Sequence, residues 1–291
     1  MSPLRVAAAA WKLRHIRSDG DFYGHFHDLV SLAHEEGADV VVLPAYQSLE
    51  LIHLAPDLRT RDVPKYLIQF AAELEAWIDR ISRSSGLILV GGSHLRETPE
   101  GIKCVCAVGN GEYGLTLVEK NKLTRYERDV WRLAPGKGLA APKDERVGIT
   151  LGYDAEFPEA GRALAEAGVL VQVIPSFARD LRAFQRLRWA AHARAVENQT
   201  FVVHASLVGD LGREPVTSTY GSTAVLAPSL EPFPQNAVLG ETDYGEEEVI
   251  LRTLDFDALE EARAKGLAQN WRDRDPETWR WNPLQREDES A

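Results

Sequence analysis

The chain reads as an α/β protein. Apolar runs of strand length alternate with longer segments of helical periodicity almost from end to end. Gly or Pro punctuates most of the junctions between them. No stretch rich in Gly, Pro or Ser divides the chain and no fixed-period repeat occurs, so one domain is expected over residues 1–282, with a frayed tail over 283–291.

Leu4–Ala10 is an apolar strand. Asp19–Glu36 carries helical spacing and stops at Gly37, a natural C-terminal signal. Val40–Leu43 is wholly apolar and closed by Pro44. Tyr66–Ser84 is helical and ends before Gly86, and Leu87–Val90 repeats the buried-strand signature ahead of Gly91 and Gly92. Lys103–Val108 and Thr116–Lys120 flank Gly109-Asn-Gly111, a hairpin signal. In the second half Val147–Leu151 is a strand, Glu159–Ala167 a helix, and Val169–Ile174 a strand ending at Pro175-Ser176. The long helix Asp180–Asn198 precedes the strand Phe201–His204. Ser222–Leu226 and Val249–Leu254 complete the sheets, and Phe256–Ala264 is a last helix. Alternation of this kind lays helices over sheet faces.

Composition narrows the partners. Of 291 residues, 44% are hydrophobic and 26% charged, and the formal net charge is −11. That balance suits a globular protein and argues against a nucleic-acid partner, which needs clustered cations. The arginines between Arg179 and Arg194 fall at helical spacing among Ala, Leu and Trp, which reads as a solvated helix face. The apolar N-terminal stretch is too short for a signal peptide, and no run approaches the ~18 residues that span a bilayer. The two cysteines, Cys104 and Cys106, lie two apart in one strand, where disulfide geometry is poor. Two buried free thiols in a reducing cytoplasm are expected. His25, His27 and His34 lack ligand spacing and have no cysteine near them, so neither a metal nor a cofactor is expected.

Several blocks, in series, carry a family resemblance. Val41-Val-Leu-Pro-Ala-Tyr46 resembles the strand end where nitrilase-superfamily (carbon–nitrogen hydrolase) proteins hold a general-base glutamate directly after proline. Glu119-Lys-Asn-Lys-Leu-Thr-Arg-Tyr-Glu127, followed by Leu133-Ala-Pro-Gly136, is similar to that family's lysine motif and second glutamate. Val147-Gly-Ile-Thr-Leu-Gly-Tyr-Asp154 resembles its nucleophile elbow, in which a cysteine precedes Tyr-Asp. Arg194-Ala-Val-Glu-Asn198 and Tyr220-Gly-Ser222 resemble later blocks. The resemblance spans roughly residues 4–280, and it is nearest to a branch sometimes found fused to an acetyltransferase domain. It implies a four-layer αββα sandwich that forms a homodimer, or a higher oligomer, through its helical layers.

The family's reaction attacks an amide or nitrile carbon with a thiolate. The glutamate accepts the thiol proton, and the lysine stabilises the oxyanion. Position by position, the resemblance makes Lys120 the lysine and Glu127 the second glutamate. The base position holds Ala45 and the nucleophile position holds Gly152. General-base assistance is worth about 10²–10⁴-fold, and residues that act as a unit fail together, so acyl-enzyme turnover is not expected. No stand-in is evident. Cys104 and Cys106 read as core thiols, Asp154 already belongs to the elbow, and Glu50 reads as an exposed loop or helix residue. Lys120 as an imine-forming amine is the weaker alternative. His204 and Ser206 lack a third orienting group. The expected protein is a pseudoenzyme that binds a small polar or anionic ligand beside Lys120, Glu127, Tyr153, Ser176 and His204, or acts through protein contacts. The alternative is an active amidase-type hydrolase that uses a non-standard group.

Overall fold

The computed structural model describes residues 1–140 and 146–275. The elements are β1 Leu4–Leu13, α1 Asp19–Glu35, β2 Val40–Val42, α2 Val63–Leu67, α3 Ala71–Ser85, β3 Ile88–Thr98, β4 Gly101–Asn110, β5 Gly114–Glu119, α4 Arg125–Asp129, β6 Val147–Ile149, α5 Pro158–Glu166, β7 Val171–Ser176, α6 Leu181–Asn198, β8 Phe201–Gly209, β9 Ala224–Leu226, β10 Val238–Glu241, β11 Glu248–Leu254 and α7 Phe256–Lys265. Short 3-10 turns cover Gln47–Leu54 and Gly152–Glu156.

The strands form two sheet halves. In one the order is β5-β4-β3-β2-β1-β11, with β1, β2 and β3 parallel and the β3-β4-β5 meander antiparallel. In the other, β6, β7 and β8 run parallel and β9 and β10 add antiparallel. The halves are stitched where Trp11–Leu13 pairs with Leu207–Gly209. Helices α1 and α3 pack on the first half, and α6 packs on the second with α5 beside it. One apolar cluster takes residues from both halves, among them Val6, Val42, Val147 and Val203. This is the expected α/β fold of sheets between helical layers. The parallel strands are apolar on both faces because both faces are covered. Among the described residues no helix is long and apolar enough to cross a membrane.

The boundaries that moved have local causes. The helix expected over Tyr66–Ser84 is broken into α2 and α3 by a 3-10 turn at Ile68–Phe70, with Pro64 in the first turn of α2. The hairpin turn sits at Asn110–Gly114 rather than Gly109–Gly111, because the Asn110 side chain accepts the Glu112 N–H at 3.0 Å and closes the turn there. Strand β8 runs on to Gly209 because its second half pairs with β1. The expected tail, 283–291, lies outside the described residues.

Candidate active site

Strand ends from both halves converge on one place. The exits of β2, β5, β6 and β7 carry Ala45, Lys120, Gly152 and Phe177, and all four line a single cavity of about 360 Å³. Ligand sites at the carboxyl ends of parallel strands are the general rule for such sheets.

Each wall residue is held by local chemistry. Ala45 bridges to Ser93 of β3, and its N–H donates to Ser176 O at 3.3 Å. That approach requires glycine at 92, since a Cβ there (φ +72°) would fall 2.1 Å from Pro44 O. Tyr46 takes the left-handed conformation, φ 62°, and its N–H donates to Ser93 O at 2.8 Å. A non-glycine residue there costs of order 1 kcal/mol, and here it aims the phenol inward. The Tyr46 hydroxyl donates to Glu127 Oε1 at 2.6 Å.

Glu127 has two jobs. It closes the capping box of α4, where Thr124 N and Oγ1 donate to Glu127 Oε2 at 2.7 and 2.8 Å. Its other oxygen takes the Lys120 ammonium at 2.5 Å. Lys120 is fixed by its backbone, with its N–H on Cys104 O (2.9 Å) and its carbonyl accepting from Gly136 (2.7 Å). Both side chains are about 5% exposed. Burial opposes both charges, yet each sustains the other: Lys120 titrates above its ordinary range and Glu127 below its own. The pair is therefore ionised near neutrality.

Gly152 opens the Gly152–Glu156 turn at φ +48°. A Cβ there would meet Lys120 Nζ and Pro175 O, each at 3.9 Å, so the position faces the ammonium with room for a side chain. Asp154 is not among the cavity's lining residues and accepts the N–H groups of Asn121 and Lys122 at 2.9 and 2.6 Å. It is a strut between the elbow and the lysine loop. Burial raises its carboxyl, and those two N–H bonds oppose the rise.

Of the residues expected from sequence, Lys120, Glu127, Ala45, Gly152 and Tyr153 line the cavity. Ser176 and His204 are not among its lining residues. They hydrogen-bond each other at 2.8 Å inside the second sheet half, and Ser176 also donates to Ala205 O. Burial, with Arg188 and His192 nearby, holds the His204 imidazole well below its ordinary pKa, as a neutral packing group stacked near Phe184. Ser206 likewise donates to Ser222 O.

Two sequence readings change. Glu50 is fully buried rather than exposed, because Arg14 donates to its carboxylate from N (2.7 Å) and Nε (3.3 Å). Both cysteines are free and buried, but Cys104 also lines the cavity. Burial pushes its thiol up to about 11. The hairpin register carries this placement, since Val105 pairs with Glu119 and so sets Cys104 opposite Lys120. The cavity lining adds Arg125, Arg179, Arg186, Glu156 and Asp180; of these, Arg179 and Arg186 belong to the run expected on a solvated helix face. Among the described residues no cluster of His, Cys, Asp and Glu fits a metal ion.

Comparison with known proteins agrees with this architecture. The chain is 24% identical over 275 residues to the probable hydrolase YhcX of Bacillus subtilis, covering 94% of this chain and 54% of that protein, so it spans about half that relative's length. It is 27% identical over 281 residues to the omega-amidase NIT2 of Danio rerio, covering 90% of this chain and 92% of the relative. Saccharomyces cerevisiae Nit3, a member of branch 10 of the nitrilase superfamily, superimposes with a TM-score of 0.72 at 22% identity, over 90% of this chain and 93% of Nit3. A glutamate-to-glutamine, cysteine-to-alanine double mutant of the Nesterenkonia sp. AN1 amidase, in complex with acrylamide, gives a TM-score of 0.69 at 22% identity over 91% and 96%. The carbon-nitrogen hydrolase family profile covers residues 7–264, so the fold and strand-end cavity described above are those of a member of that family.

Proposed function

We propose that this chain is a carbon–nitrogen hydrolase homologue that binds a small polar or anionic ligand beside Lys120 and does not turn over amides or nitriles through an acyl-enzyme. The observation that carries the reading is the joint placement of Ala45 and Gly152 on the cavity that holds the ionised Lys120–Glu127 pair. At these two positions no side chain can donate, accept or bond covalently to a carbonyl carbon. The charge that would stabilise an oxyanion remains, while the groups that would create one do not. The doubly substituted Nesterenkonia amidase, whose structure is in complex with acrylamide, supports the idea that such a pocket retains a ligand without both groups.

One observation favours the second reading, an amidase-type enzyme with a non-standard group, namely the Cys104 thiol on the same cavity wall. Against it, a thiol held near 11 is almost entirely protonated at neutral pH, and the thiolate is the nucleophile. Two measurements on the full chain test the proposal together. Thermal-shift screening with small carboxylates and amides should find stabilising ligands whose effect vanishes in Lys120→Met. An amide, carbamoyl and nitrile substrate panel should show no turnover. Activity that survives purification and is lost in both Lys120→Met and Cys104→Ala would favour the enzyme.

A further inference from the structure

Four aromatic rings on the cavity lining hold one another in a single run. Phe177 meets Tyr46 at a centroid distance of 5.9 Å, Tyr46 meets Trp131 at 5.5 Å, and Trp131 meets Tyr126 at 5.3 Å. Each contact is edge to face, with interplanar angles of 72°, 66° and 73°. Tyr46 and Trp131 are buried at the centre of the run, and Phe177 and Tyr126 are half-buried at its ends. Rings locked in this way need little ordering when a ligand arrives. The run also lies next to the charge, since Lys120 Nζ is 5.9 Å from the centre of the Tyr46 ring. A head group beside Lys120 sets the adjoining part of its molecule within reach of these rings.

Cavity size and charge pairing narrow the tail that fits. An apolar cavity of ~150 Å³ admits benzene. This one is about 360 Å³, so a ring and a head group fit together. Leu151, Ala183 and Leu187 add aliphatic surface to the same lining. The lining arginines, by contrast, are already matched: Arg179 pairs with Glu214 at 2.8 Å, Arg186 with Glu156 at 3.3 Å, and Arg125 with Asp129 at 3.3 Å. A second acid group on the ligand would exchange one carboxylate for another on a partly solvated arginine, which gains little. An apolar body gains in proportion to the area it takes out of water.

We propose that the ligand is an aryl acid, with one carboxylate beside Lys120 and a planar aromatic body against the run from Phe177 to Tyr126. The inference rests on the binding reading above and adds the tail that the pocket selects. Short hydrophilic acids and di-acids rank below it.

Calorimetric titration of the full chain at pH 7 with acetate, glutarate and phenylacetate tests this. Phenylacetate is expected to bind roughly 10- to 100-fold more tightly than acetate, from burial of its ring, and more tightly than glutarate. Phe177→Ala and Tyr126→Leu each remove one end of the run and should narrow that preference while leaving acetate affinity in place. Both positions are half-buried, and thermal melting of each variant verifies its fold. Acids that bind without favouring the ring, or glutarate ahead of phenylacetate, would overturn the inference and leave the binding reading standing. A phenylacetate preference unchanged in both variants would also overturn it. Binding of none of the three would overturn both.

Discussion

A Cβ on Gly152 would lie 3.9 Å from the Lys120 ammonium, in ordinary contact, while the backbone that would carry it sits at φ +48°. The position thus has room for a side chain but a conformation that disfavours one. Gly152→Cys should lower stability by about 1–2 kcal/mol in urea denaturation. Combined with Ala45→Glu, it should yield measurable amide hydrolysis, at least ~10²-fold above either single variant. A folded double variant whose new thiol alkylates readily but which hydrolyses nothing would show that more than these two groups is missing.

The Lys120–Glu127 pair should behave as one unit. Lys120→Met strands a carboxylate that is 4% exposed, and Glu127→Gln strands the ammonium, so each single change should cost about 3–5 kcal/mol. The double variant should recover much of that loss, because no uncompensated buried charge remains. Equilibrium denaturation of the four proteins measures the coupling. Additive losses would mean that the two side chains are independent.

A second buried charge cluster should set an alkaline limit on stability. His25 Nε2 meets Glu247 at 2.8 Å, and its Nδ1 lies 3.9 Å from Glu50, with Arg14 on the same carboxylate and the Trp11 ring tilted against the imidazole at a centroid distance of 4.2 Å. Burial pulls the imidazole pKa down, but the hydrogen bonds to the two glutamates prevail and the net direction is up from 6.5. A folded-state pKa above the unfolded one contributes stability that is complete below ~6.5 and is lost as pH rises through the folded value. The melting-temperature gap between wild type and His25→Gln should therefore be wide at pH 6 and narrower at pH 9. A gap that widens with pH would reverse the sign of this account.

Helix α6 turns an apolar stripe outward. Trp189 is 65% exposed, with Leu181 and Val196 exposed on the same side. A homodimer that buried this stripe would account for it, since exposed apolar patches often mark interfaces. Light scattering should report a dimer for the wild type and a monomer for Trp189→Glu. A wild-type monomer would leave the stripe without an occupant.

Much of the site was legible because it lies in short linear segments. Lys120 and Glu127 are separated by seven positions, and the Thr124–Glu127 capping box is visible in the string itself. The fold followed from alternating apolar runs and Gly/Pro stops. What stayed hidden depends on long-range pairing. Glu50 reads as a surface residue until Arg14, 36 positions away, turns out to bond it. Cys104 reads as core until hairpin register sets it opposite Lys120. Ser176 ends β7, but His204 lies inside β8 because that strand runs on to Gly209; their side chains turn to each other, and no spacing rule encodes that choice.

Intact-protein mass spectrometry tests the central claim most directly. The chain would be incubated at neutral pH with short-chain amides, activated esters and nitriles, quenched in acid, and mapped by peptide. The account predicts an unshifted mass after every substrate, because nothing at 45 or 152 can take the acyl group. A stable acyl increment mapped to any side chain of the cavity, Cys104 included, would contradict it.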